Sequence, residues 1–154
     1  MTYEPGISDM SPDPLDRWTA QMEELTFEDL AAALRAHAKG MYGVEAACEL
    51  LIRHRTWLHR QDFRGYIEVG GFAGDELMAA IDWENALGAN LPSSGSEQRI
   101  LSLAASIASG DAQNLPPLGE LLTGLDDANE LLVLRAVHHA SRGHEGQPVT
   151  VLPF

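Results

Sequence analysis

The sequence predicts an all-α fold, an irregular single-domain helical bundle of six to eight helices with at most one short strand. Three observations carry this expectation. Apolar residues recur at helical spacing through most of the chain. Side chains suited to helix starts precede these stretches, and Gly, Pro or Ser clusters follow them. A single internal run, Tyr66-Ile67-Glu68-Val69, has the composition of a short strand, and the chain shows no internal repeat, low-complexity tract or heptad run.

The elements follow in order. Residues 1–12 contain Pro5, Gly6 and Pro12 with little apolar content and read as a flexible N-terminal tail. A first helix is expected from Asp13-Pro14, because proline suits the first helical position and Leu15, Trp18, Met22 and Leu25 fall on one stripe. Thr26 with Asp29 three residues on forms a capping-box variant for the next helix, with Leu25 and Leu30 placed as a hydrophobic staple. Its buried face is Phe27, Leu30, Ala31, Leu34 and Ala38, and Gly40 is its left-handed terminator. One helix is then expected from about Gly43 to Leu58, carrying Val44, Ala47, Cys48, Leu51, Ile52, Trp57 and Leu58.

Residues 59–74 are ambiguous between a strand and a short helix because four glycines interrupt them. Leu77, Met78, Ile81 and Leu87 predict a return to helix over 75–87. After the linker ALGANLPSSGS, Ser94 and Glu97 form a second capping box. The helix they open has two apolar stripes, which places it centrally. Pro116-Pro117 open a short helix over 117–125, and Asp126 or Asp127 caps the last one, which ends near Gly143. The apolar faces of 96–109 and 127–142 suit either a core or a dimer interface. Residues 13–143 thus form the helical domain and 144–154 an extended C-terminal tail.

Composition bounds the function. The chain has 154 residues, 45% hydrophobic, with 10 Lys+Arg against 23 Asp+Glu and a net charge of −13. A lone cysteine rules out an intramolecular disulfide framework. No apolar run reaches membrane-spanning length, and the N-terminus lacks the basic start and apolar core of a secretory signal, so a cytoplasmic protein without a membrane partner is expected. The net charge disfavours nucleic acid as a partner unless a local basic patch supplies the contact.

Such a patch exists. Arg53, Arg55, Arg60 and Arg64 lie within twelve positions together with His54, His59 and Trp57, and this segment carries +3. Residues 1–30 hold eight acidic residues and one basic residue. The run is therefore read in two ways: as an internal docking face for the acidic N-terminal segment, or as a partner-binding surface of Arg53, Arg55, Arg60, Arg64 and Trp57.

Signatures of catalysis are lacking. Five of the six histidines, His54, His59, His138, His139 and His144, match no HExxH or Cys/His spacing, and no metal or cofactor is expected. The basic side chains near the end of the last helix already suit its negative pole. Ser94 reads as a cap, no serine lies in a nucleophile elbow, and Cys48 sits on an apolar helix face as an inert thiol. Asp82 and Glu84 diverge around Trp83, and Gly70 to Gly74 follow no phosphate-loop pattern.

Trp57-Leu58, Asp62-Phe63, Ile81-Asp82-Trp83, Ser94 with Glu97, the run from Ile100 to Ser106, and Leu125-Asp126 with Asn129 form an ordered set. This order resembles a pattern in small actinobacterial and actinophage helical proteins of unknown function, over about residues 43 to 142. The resemblance implies an accessory or regulatory protein and carries over no site residue. The leading expectation is a non-catalytic protein that binds another macromolecule, a protein in the first instance. Alternatives are a regulator linked to nucleic acid, through residues 53–64 or as an acidic mimic, and a small enzyme built around His54, His59 and Asp62.

Overall fold

The computed structural model describes residues 24–74, 76–109 and 114–142. The helix expected from residue 13, both tails and their boundaries lie outside the described residues. Within them the chain forms α1 (Phe27–Ala38), α2 (Tyr42–His54), α3 (Thr56–His59), α4 (Gln61–Arg64), β1 (Ile67–Ala73), β2 (Glu76–Ile81), α5 (Trp83–Gly88), α6 (Gly95–Ala108), α7 (Leu118–Leu122) and α8 (Asp127–Arg142). The fold is mostly helical, as expected, but it includes a two-stranded antiparallel sheet.

Three starts follow their local chemistry. Thr26 accepts from the Asp29 amide at 3.1 Å, satisfying one orphan donor of α1. At α6 the capping box is complete: the Glu97 amide donates to Ser94 Oγ, and the Ser94 amide donates to the Glu97 carboxylate at 2.8 Å. Asp126, rather than Asp127, caps α8 by accepting from the Asn129 amide at 2.8 Å. Gly40 ends the α1 turn at φ 87°, in the left-handed region its lack of a Cβ permits.

Two expectations are corrected. The single helix over 43–58 divides at Arg55, whose φ of 69° interrupts the α-geometry and turns α3 away from α2. The helix expected over 75–87 is a strand followed by a short helix. Leu77, Ala79 and Ile81 alternate toward the core, and Ile67 pairs with Ile81 while Val69 pairs with Ala79. A register irregularity between Val69 and Phe72 coincides with Gly71 at φ 78°, so glycine accommodates the bulge. Asp82 then caps α5 through the Asn85 amide.

The core is built around α2 and α6. The stripe Ala46, Ala47, Leu50 and Leu51 of α2 is buried, and six consecutive residues of α6, Ile100 to Ala105, are buried as well. Helix α2 packs against α8, α6 and α1, while β2 lies on α1. Trp57 and Phe63, fully buried with ring centroids 5.3 Å apart, fill the corner between α3 and α4. Among the described residues no helix is long and apolar enough to cross a membrane.

Candidate functional site

The basic run does not form one surface. Trp57 is 0% exposed and donates its indole N–H to the Glu97 carbonyl at 2.9 Å, tying α3 to the first turn of α6. Arg64 is 7% exposed; its guanidinium donates to the Leu58 and Leu25 carbonyls at 2.8 Å each, locking the entry to α1. A buried guanidinium needs such acceptors, because its charge cannot be left unsolvated. These two positions of the expected partner surface are therefore corrected to structural ones. Arg55 lies 4.5 Å above the Phe27 ring. Arg60 lies over Trp57, pairs with Asp62 and donates to the Pro92 carbonyl at 2.6 Å. Arg64 thus donates to backbone carbonyls, whereas two of the three hydrogen bonds of Arg60 go to the Asp62 carboxylate. Residues 1–23, which hold five of the eight acidic side chains expected to dock on the run, lie outside the described residues.

The residues of the enzyme alternative also part company. His59 stacks on Phe27 at 4.6 Å, and Asp62 serves Arg60 and the Phe63 amide. His54 is partly buried, with Nδ1 buried and unpartnered. Among the described residues no three His, Cys, Asp or Glu side chains gather in a way that would hold a metal ion.

Arg53 alone of the run points into a shared site, and the site comes from three helices. Between α1, α2 and α8 lies a groove of about 530 Å³. Leu50, Leu132 and Ala136 contribute its apolar surface, and Arg35, Arg53 and Arg135 bring one guanidinium from each helix. Glu49 stands between two of these arginines. It accepts from Arg35 through two nitrogens and lies 3.4 Å from Arg53 Nε, one turn along the same helix. Arg135 is exposed and has no carboxylate partner among the described residues. Three of the ten Lys+Arg side chains of a −13 chain thus converge here.

The base of the groove is braced from below. His139 Nε2 lies 2.9 Å from a Glu45 carboxylate oxygen, and the other oxygen accepts from the Gly40 amide at 3.0 Å. Glu45 is buried at 8% exposure, so it fixes the α1–α2 turn to α8 across 94 residues of sequence. This bracing holds two of the arginine-bearing elements, α2 and α8, in a set relation.

Two titratable groups of the site are held in fixed protonation states. Burial pushes Glu49 upward, but the Arg35 hydrogen bonds and the charges of Arg35, Arg53 and His139 outweigh it and hold the carboxyl below its ordinary range. It stays ionised at neutral pH and has no proton to give. Cys48, behind Glu49, is 3% exposed, and its thiol is pushed up to about 12 by burial and then by the Glu49 charge, which suppresses the nucleophilic thiolate.

In the sequence, Glu49 and Arg53 stand in the acidic-before-basic i,i+4 order that supports a helix surface, and Arg135 and His139 suit the negative pole of the last helix. Neither pattern shows their convergence with Arg35, which only the fold creates. The available signal was Glu45, an acid among the buried positions of α2, which demands a partner from elsewhere in the fold. No protein-family model, curated protein or solved structure matches this chain.

Proposed function

We propose that the protein is a non-catalytic binding module of accessory or regulatory type, which takes an acidic segment of another protein in the groove between α1, α2 and α8. The observation that supports this reading is the convergence of Arg35, Arg53 and Arg135 over an apolar floor in a chain whose net charge is −13. The surrounding field turns long polyanions away, while the local guanidinium fork offers bidentate recognition of carboxylates. Leu50, Leu132 and Ala136 add a preference for apolar side chains interspersed among the acids.

A labelled peptide alternating Glu and Leu is the probe. Fluorescence anisotropy should detect its binding to the wild-type chain, and the double substitution Arg53→Glu with Arg135→Glu should weaken it by at least about tenfold, since each contact loses an attraction and gains a repulsion. Arg55→Glu lies outside the groove and should leave affinity within about twofold. Equal binding by the double variant removes the groove reading. Tighter binding of a labelled oligonucleotide than of the peptide transfers the function to nucleic acid.

A further inference from the structure

The outward face of α8 carries Leu131, Leu134 and Val137 at 45%, 37% and 53% exposure. These are large apolar side chains on a helix whose opposite side, at Val133 and Ala136, is already buried. At about 100° per residue, the three lie within one third of the helix circumference, centred on Leu134. The groove residues Arg135 and His139 fall on a different side of the same helix. The apolar face is therefore a separate surface.

We propose that this face binds a second copy of the chain, as an antiparallel α8 pair with its two-fold axis at Leu134. The argument is self-complementarity. Counting outward from Leu134, Leu131 meets Val137 of the other copy, Glu130 meets His138, Asp127 meets Ser141, and Asp126 approaches Arg142. Apolar residues meet apolar ones at the centre, and acidic residues at the helix start meet basic or neutral ones at its end. A parallel pair would instead set Glu130 against Glu130 and Asp127 against Asp127. The set 127, 131, 134, 137, 141, which the two-fold axis maps onto itself, is spaced by steps of four and three, the spacing with which two helices interlock.

Helix α8 has 16 residues, about 24 Å of axis, so the pair buries less than the ~800 Å² per partner of a standard interface. The dimer accordingly exchanges with monomer at micromolar concentration. Because the groove faces away from the seam, each dimer offers two grooves.

Sedimentation equilibrium of the full chain from about 1 to 200 μM tests this. A mass rising from monomer to dimer is expected, with Leu134→Glu raising the dissociation constant at least tenfold while circular dichroism stays unchanged. A short bismaleimide then reports the register. Leu134→Cys should cross-link to itself across the axis. Ser141→Cys should not, because its two copies stand about 21 Å apart along the helix, yet mixed with Asp127→Cys it should form a heterodimeric product. Cys48, buried and held as a thiol, contributes no background. A chain monomeric at 200 μM, whether the face is bare or covered by residues 1–23 or 143–154, overturns the proposal. So does a dimer indifferent to Leu134→Glu, or self-cross-linking of Ser141→Cys in place of Leu134→Cys.

Discussion

Arginines of one short segment do different work according to depth. Arg64 is buried and places its guanidinium against two backbone carbonyls, so truncation removes the donor from both acceptors and leaves space where the side chain stood. Arg64→Ala should cost about 2–4 kcal/mol, and Arg64→Lys should recover only part of it, because an ammonium cannot span both acceptors as a planar fork does. Arg55→Ala loses a solvent-exposed contact with the Phe27 ring and should cost about 0.5–1 kcal/mol. Urea denaturation of the three variants separates them, and equal losses at positions 55 and 64 would mean that the Arg64 hydrogen bonds add nothing to the fold. The sequence shows four arginines and a tryptophan close together, but exposure depends on what the rest of the chain lays over them. Trp57 and Arg64 are covered because α6 and the α1 entry return to that corner.

Among the elements, what was legible in the sequence was local. Thr26, Ser94 with Glu97, and Asp126 are capping residues whose partners lie three positions away, and each makes the bond its spacing implies. Within the β1–β2 hairpin, β1 falls on the stretch whose sequence allows either a strand or a short helix, whereas β2 reads as helix because Leu77, Met78 and Ile81 also fit helical spacing and Ala79 and Ala80 favour helix. Pairing with Ile67 and Val69 and cover from α1 decide for the strand, and neither is visible within a short window. One element contact hangs on a single glycine. A Cβ at Gly43, in the first turn of α2, would stand 2.7 Å from the Ile107 carbonyl oxygen near the end of α6. Gly43→Ala gains up to ~1 kcal/mol of helix propensity but forces the two helices apart, and a net loss of about 1–2 kcal/mol is expected. An unchanged urea midpoint would show that α2 and α6 separate there without cost.

For the whole molecule, acidity and burial set the dependence of stability on pH. The candidate groove was illegible in the sequence for a related reason: positions 35, 53 and 135 are neighbours only after α1, α2 and α8 have packed, so their charges act on one another in the folded state alone. Burial lowers the pKa of His54, against the smaller opposing effects of Glu97 and Asp126. Its folded value thus lies below the unfolded one near 6.5, and as pH falls the unfolded chain takes up that proton first. The His54 contribution is complete above about 6.5 and is lost between that pH and the lower folded value. Glu49, depressed by its arginines, contributes above the unfolded value near 4.5 and loses its contribution as pH falls through the folded value beneath it. Urea midpoints between pH 8 and 3 at fixed ionic strength should therefore fall in two separate windows. His54→Leu should abolish the difference in the upper window and leave the lower one, while Arg35→Gln should do the reverse. Parallel curves for wild type and His54→Leu between pH 7 and 5 would remove His54 from the account.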